Sequence, residues 1–562
     1  MNAKTTESDA IRKRLSAMTL RQKIGQMIHC GFHGLEPSQD IARLIRERHI
    51  GGVILFARNV RDVRQVAAMN AELQRIALEA GVPPLTIAID QEGGMVARLT
   101  EGVALMPGNM AIAAGGDARA AYDAARITGK ELRALGVNLN YAPVLDVNVN
   151  PNNPVIGVRS YGESPELVAE FGAQAIRGLQ EANVSATAKH FPGHGDTDVD
   201  SHLDLPTISH SRERIGRVEL APFRRAIETG IDAIMSSHIY FPAFESEKLP
   251  VTLSRAVLTG LLREELGFGG VIMTDCMEMK AIADHYGTVA AAVMAVEAGA
   301  DCVLISHRHD LQEGAIEAIA AAVEAGRLGE ARIDASVARL LAMKQRRGVT
   351  AEAVTTAADE AYFAGEAFRG VGSPAHRETA RRISEAGVTL VKADAGALPL
   401  RRERTLVVSV LAGAVSEVDE SVDLPVTLGQ AIAAQGVPVE ERTVALDEVG
   451  AKAAELIGLA VGGGFGQVVV GTYNASLRPD QSALVRGMME QGAKPIVVAL
   501  RSPYDIAAFP QVSAFLATYE SRPLALQSAA KALTGQIATK GRLPVAVDAS
   551  CPAGTGRSVE AR

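Results

Sequence analysis

Cysteine is scarce in this 562-residue chain: Cys30, Cys276, Cys302 and Cys551 stand far apart, and none belongs to a CxxC pair. That spacing offers neither a disulfide framework nor a structural zinc site, and it fits a reducing compartment. Long apolar runs are missing as well. No stretch approaches the roughly 20 apolar residues that span a bilayer, and the opening MNAKTTESDAIRKRLSAMTLRQKIGQM mixes charges throughout, without the apolar core of a secretory signal. The expectation is a soluble, cytoplasmic protein with no membrane partner. Basic clusters are absent too. The formal net charge is -8 and the Lys and Arg residues are scattered, so there is no electrostatic footprint for nucleic acid, and a polyanionic ligand is not expected.

What is present is length and apolar content. With 47% hydrophobic residues over 562 positions, the chain exceeds what one core usually organises, and two domains are expected. From Gln26 to Ser306, short β-type runs alternate with amphipathic helical stretches, the pattern of parallel strands joined by crossover helices. The strand candidates are QMIHCG near 26, GGVILF at 51, LTIAID at 85, VNLNYAPVLDV at 137, VSATAKH at 184, AIMSSHI at 233, GVIMTD at 270 and DCVLIS at 301. Eight strands predict an α/β chain whose N-terminal part, residues 1–348, is a (β/α)8 TIM-like barrel. A helical linker is expected over 349–385. A smaller α/β sandwich domain is expected over 386–562, on the buried-strand runs TLVVSVLAG at 405, FGQVVVGTY at 465, AKPIVVAL at 493 and VSAFLATY at 512. The GGGFGQ stretch at 462 is no dinucleotide loop, because it precedes its strand instead of following one.

Polar residues cluster where the barrel strands stop: Asp90, Asp146, Lys189 with His190, His238, and Asp275. In a parallel barrel these ends open on one face, where active sites are built. The densest segment is KHFPGHGDTDVDSH, from Lys189 to His202. His190 and His194 have the i, i+4 spacing of helical metal ligands, but Pro192 and Gly193 between them oppose a helix. Asp196, Asp198 and Asp200 open like a calcium loop, but Ser201 and Thr207 stand where glycine and glutamate are needed. No metal and no cofactor is therefore expected. The segment's polar groups could simply satisfy one another, although Gly193 and Gly195 point to a mobile, catalytic loop. The chemistry that fits the spacing is acid/base catalysis: Asp200 and His202, two apart on an extended segment, face the same side. A carboxylate on one ring nitrogen leaves the other to give and take a proton near neutral pH.

KHFPGHGDTDVDSH resembles the signature of glycoside hydrolase family 3, in its β-N-acetylglucosaminidase branch, known for peptidoglycan recycling. The resemblance implies that His202 is the acid/base, that Asp200 is its partner, and that Lys189 and His190 hold sugar hydroxyls. AIDQEGGMVAR resembles the family's sugar-binding strand end, which implies that Asp90 and Arg98 bind the non-reducing sugar. VIGVRSYGESP resembles a further binding segment, with Arg159 as its arginine. GGVIMTDCMEMKAI resembles the nucleophile segment, with Asp275 as nucleophile at the end of a buried strand, where a carboxylate must be paired or used. Many relatives carry a second aspartate next; here it is Cys276, read as a buried small hydrophobe. LRSPYDIAAFP, ATYESRPLALQSAAKALTG and GRLPV resemble the sandwich domain of two-domain members, to which a packing or stabilising role is assigned.

The implied activity is a retaining exo-β-N-acetylglucosaminidase acting on a carbohydrate with a terminal N-acetylglucosamine, in muropeptide fragments or related oligosaccharides. A histidine acid/base, unlike a carboxylate, does not repel an incoming anion, so a phosphorylase is the alternative within the fold. A non-catalytic amino-sugar binding protein is the alternative from another class.

Overall fold

The computed structural model describes residues 3–198, 200, 205–354, 359–411, 413 and 426–561. Eight strands close a barrel: β1 (Ile28–Gly31), β2 (Gly52–Leu55), β3 (Thr86–Ile89), β4 (Leu139–Asn140), β5 (Ser185–Phe191), β6 (Ala233–Ser236), β7 (Val271–Cys276) and β8 (Cys302–Ile305). They pair in the order β1-β8-β7-β6-β5-β4-β3-β2, every neighbour parallel, with β2 returning to β1 through His29 opposite Gly52. All eight predicted strands form. The fourth is far shorter than its apolar run: Pro143 cannot donate to a central ladder, so the strand stops at Asn140 and only a single bridge, Val144 to Lys189, follows.

The crossover helices carry local start signals. Asp62 caps Val63–Glu79 by accepting from the Gln65 amide, and Ser164 with Pro165 starts Pro165–Glu181. Each turns an apolar face to the barrel and a charged face outward. Among the described residues, no helix is long and apolar enough to cross a membrane.

A second sheet contains β9 (Thr389–Ala393), β10 (Thr405–Val410), β11 (Val439–Val444), β12 (Gln467–Thr472), β13 (Ile496–Ala499) and β14 (Ala514–Ala517). Its order is β9-β14-β13-β12-β10-β11, parallel except for the antiparallel pair β9/β14. The four predicted strands form its centre, and the two unpredicted ones are its edges. Between barrel and sheet lie short helices at Ala351–Val354, Glu360–Phe363 and Glu366–Arg369, then Pro374–Gly387.

Among the described residues, two large apolar cores result, one in and around the barrel and one about the second sheet, with a small third cluster of Val144, Val155 and Ile156. The two large cores are stitched together. Met110, Ala111 and Ala114, from the short helix Asn109–Ala114, and Val158, from the turn Gly157–Arg159, belong to the second core. Residues 542–546 run back to the barrel, where the Arg542 amide donates to the Ala114 carbonyl (2.9 Å), the Glu163 amide to the Pro544 carbonyl (3.2 Å) and the Ala546 amide to the Glu163 carboxylate (2.9 Å).

The opposite end of the barrel is closed by charge. Asp301, fully buried just before β8, accepts from Arg263 (2.6 Å), Arg339 (3.0 Å), Ser336 (2.6 Å) and the Ile272 amide (3.0 Å), with Arg332 at 3.5 Å. Removing the buried anion leaves three partly buried guanidinium groups without their shared counter-charge, and the Ile272 amide and Ser336 hydroxyl without their acceptor. Asp301→Ala is expected to lose about 3–5 kcal/mol of stability, read as a lowered urea midpoint with KM unchanged. A loss below about 1 kcal/mol would mean that the cluster holds nothing together.

Candidate active site

The C-terminal ends of the strands surround a cavity of about 410 Å³, within the roughly 300–1,000 Å³ range of small-molecule sites. Phe56 and Arg58 follow β2, Asp90 follows β3, Tyr141 follows β4, Lys189 and His190 lie in β5, Met235 in β6, Asp275 and Cys276 end β7, and Ser306 and His307 follow β8. Arg98, Arg159 and His194 enter from loops.

Its anchor is a buried charge network. Lys189 Nζ lies 2.7 Å from both Asp90 Oδ1 and Glu92 Oε1, and Arg159 grips Glu92 with two bonds, at 2.9 and 2.7 Å. Arg98 approaches Asp90 at 3.8 Å. The Lys189, Glu92 and Arg159 side chains are only 2%, 3% and 3% exposed, so the charges must satisfy one another. Burial alone would push the Glu92 carboxyl up, but Arg159 and Lys189 outweigh it and hold the group far below the usual carboxylate range. Burial likewise opposes the Lys189 ammonium, and Asp90 and Glu92 reverse that, leaving its pKa raised.

The hairpin that carries Asp90, Glu92 and Arg98 pairs Gln91–Gly93 with Val96–Ala97. Gln91 organises it. Its side-chain oxygen accepts from the Arg98 and Leu99 amides, its Nε2 donates to the Leu99 carbonyl, and its backbone exchanges two bonds with the Asn140 side chain. Gly94 turns at φ 55°, where a side chain is disfavoured.

Asp146 is the second organiser. Fully buried, it accepts from the amides of His190 (3.0 Å) and His194 (2.7 Å) and pairs with His190 Nδ1 at 2.7 Å. Burial raises the Asp146 carboxyl but the two histidines overcome this, and the net shift is downward. The His194 pKa is also lowered, but this disfavours its charged form: burial first, then His190, bring it down to about 4, so it is neutral at physiological pH.

Gly193 and Gly195 let the root of the motif loop pack closely. A Cβ on Gly195 would lie 1.8 Å from the Val147 carbonyl oxygen, and Asn153 donates to the His194 carbonyl at 2.9 Å, so the root of the loop is fastened. Asp200 is buried, near enough to His194 for its charge to act on that ring, but it does not line the cavity. His202 lies outside the described residues.

Asp275 lines the cavity, and its Oδ1 accepts from the Cys276 amide at 2.7 Å. His238, one of the polar strand-end residues, is buried beneath: its Nε2 donates to the Cys276 carbonyl (2.9 Å), its Nδ1 pairs with the Thr252 hydroxyl (2.8 Å), and the end of β7 is thereby fixed. Cys276 is not the core residue expected. It is partly exposed on the cavity wall, and burial of its sulfur with Glu278 nearby pushes the thiol up to about 12, so it stays neutral.

Cys276, Glu278 and His307 are the one group of possible metal ligands among the described residues. Glu278 already accepts from the His307 (2.7 Å) and Arg308 (3.0 Å) amides, the thiol favours its proton, and the Arg58 charge acts on His307. That set anchors the loop after β8.

The site residues foreseen in the sequence thus divide. Asp90, Arg98, Arg159, Lys189, His190 and Asp275 meet in one cavity. Glu92 does not line the cavity but holds Lys189 and Arg159 behind it, a role missed in the sequence although the residue lies inside the AIDQEGG segment.

Residues 19–343 match the family described as "Glycosyl hydrolase family 3 N terminal domain". The chain is 32% identical to β-hexosaminidase A of Pseudoalteromonas piscicida over 94% of its own length and 97% of that protein. It is 28% identical to a β-N-acetylglucosaminidase/β-glucosidase of Cellulomonas fimi over 96% of each. Among solved structures, a family 3 β-N-acetylglucosaminidase from Paenibacillus sp. str. FPU-7 superposes with a TM-score of 0.88 at 50% identity, covering 94% of this chain and 99% of that one. A β-glucoside phosphorylase, at 22% identity and a TM-score of 0.80 over 98% of each chain, shares the fold. A strand-end cavity built on a buried charge network, in a barrel whose sequence matches from Thr19 to Met343, makes this chain a glycoside hydrolase that belongs to family 3.

Proposed function

We propose that this protein is a retaining exo-β-N-acetylglucosaminidase. The observation that carries the reading is the meeting of Asp275 with Asp90, Arg98, Arg159, Lys189 and His190 in one small cavity. Relatives named β-hexosaminidase and β-N-acetylglucosaminidase support the acetamido sugar as the terminal unit.

In this reading the charged cluster binds the hydroxyls of the non-reducing N-acetylglucosamine, with donors and acceptors held in place before the sugar arrives. Asp275 attacks the anomeric carbon through an oxocarbenium-like transition state while His202, partnered by Asp200, protonates the departing oxygen. His202 then takes a proton from water, which releases the sugar with net retention. The neutral thiol of Cys276 adds no charge beside the nucleophile.

The natural aglycone in this reading is anhydro-N-acetylmuramic acid in cell-wall muropeptide fragments, met in a reducing cytoplasm. Four cysteines, all free, and the branch that the motif resembles support it. The division of the chain into residues 1–348, 349–385 and 386–562 belongs to the same reading, with a barrel, a helical connection and a sandwich domain as the working parts.

Three measurements test it. Asp275→Asn is expected to lower kcat on an aryl N-acetylglucosaminide by about 10³-fold or more, while calorimetric binding of N-acetylglucosamine is largely kept; retained turnover would sink the assignment of the nucleophile. Proton NMR of early product should show the β-anomer first, and free sugar should dominate with or without phosphate. An α-anomer overturns retention, and a dominant sugar 1-phosphate overturns hydrolysis. Muropeptide and chitooligosaccharide substrates run side by side should give the higher kcat/KM for the muropeptide; the reverse order removes the proposed aglycone.

A further inference from the structure

The hairpin that carries Asp90, Glu92 and Arg98 is held from inside by Gln91 and Asn140, and its tip keeps one barrel-side bond, from the Gly94 amide to the Met106 carbonyl at 2.9 Å. Strands of three and two residues make a ribbon that is marginal on its own. The tip is gripped by the second domain. Arg522, 3% exposed, donates from Nε to the Gly94 carbonyl at 2.8 Å and from Nη2 to the Met95 carbonyl at 2.9 Å. Glu520, two residues earlier and equally buried, accepts from the Gly108 amide at 2.8 Å. A Cβ on Gly94 would meet the Glu520 carboxylate oxygen at 2.5 Å, so the second glycine of the EGG segment serves close approach of the second domain as well as the turn. The Ser521 hydroxyl lies 3.9 Å from the Met95 sulfur.

Nearby contacts run the same way. Tyr504, from the loop after β13, accepts from the Asn148 side chain at 3.2 Å, two residues beyond Asp146. Ser160 donates to the Asp146 carbonyl at 2.6 Å and sits beside the 162–163 turn held by residues 544–546. The second domain therefore touches the supports of the cavity at the hairpin tip and at the Asp146 segment.

We infer that Arg522 is a positioning residue for the terminal-sugar site, and that through it the second domain takes part in substrate recognition. The physical reason is the fork of the guanidinium: two N–H groups of fixed separation on two successive carbonyls set both the height and the twist of the tip, which a lysine ammonium cannot do. Arg98 lies three residues beyond the gripped carbonyl of Met95, and a displacement of about 1 Å in a binding group can cost roughly 10²-fold in rate. The inference rests on the reading of Asp90 and Arg98 as sugar-binding residues.

A double-mutant cycle tests it, using the full chain in four forms: wild type, Arg522→Ala, Arg98→Ala and the pair. Steady-state kinetics on an aryl N-acetylglucosaminide and calorimetry with N-acetylglucosamine are the readouts. Arg522→Ala is expected to lower kcat/KM about 10-fold or more, chiefly through KM, and to lower it less than about 3-fold further when Arg98 is already alanine, because the two act through one element. Fully multiplicative effects, or an unchanged KM in Arg522→Ala, would overturn the inference. Arg522→Lys keeps the charge and the bulk. It should melt like wild type and still raise KM several-fold, which carries the test if the alanine variant fails to fold, and a wild-type KM in it overturns the fork argument. Full activity in both Asp90→Ala and Arg98→Ala would sink the sugar-site reading itself; losses there beside an indifferent Arg522→Lys would sink only the clamp.

Discussion

Everything around the cavity depends on keeping two carboxylates and two cations together out of water. Lys189 between Asp90 and Glu92, and Arg159 doubly bonded to Glu92, are tolerable in a low-dielectric site only while all four are present and aligned. Their partners come from the end of β3, the end of β5 and the loop at 155–160, so the network fixes three separate elements to one another. The same exclusion of water that makes the charges costly makes their hydrogen bonds to a ligand stronger. Asp146 repeats the device on a smaller scale, ordering the turn from His190 to His194 by accepting from both amides.

Much of this was legible in the chain. Eight apolar runs predicted eight barrel strands, because a parallel barrel buries both faces of each strand and leaves continuous hydrophobic stretches. Asp90, Lys189, His190 and Asp275 were legible because each interrupts or ends such a run, where a charge has no structural reason to be. The role of Glu92 was not, since its partner Arg159 is 67 positions away and no local pattern joins them. Asp146 was visible as a polar strand end but not as a holder of two backbone amides 44 and 48 residues later. The edge strand β11 escaped for a different reason. β11, VEERTV, is charged and mostly half-exposed, as the edge of a sheet must be, and so lacks the apolar signal.

Glycine was the residue least legible in the chain. In sequence Gly193 and Gly195 look like freedom; in the fold a Cβ on Gly193 would lie 2.8 Å from Glu219 and one on Gly195 would collide with Val147, so both mark tight packing. Gly94 has the same character. Small residues near a site announce close approach as often as motion, and only the neighbour decides which.

The return of residues 542–546 to the barrel has a consequence for how the molecule is made. The helix Glu330–Arg346 that follows the eighth strand is complete about 200 residues before Ala546, an interval of roughly 10–40 s at ordinary elongation rates. For that time the barrel can close, but the Ala114 carbonyl, the Glu163 amide and the Glu163 carboxylate lack the partners they have in the finished fold. The segment that buttresses Asp146 is therefore completed late. A barrel that closes during that interval does so before residues 542–546 can brace its mouth.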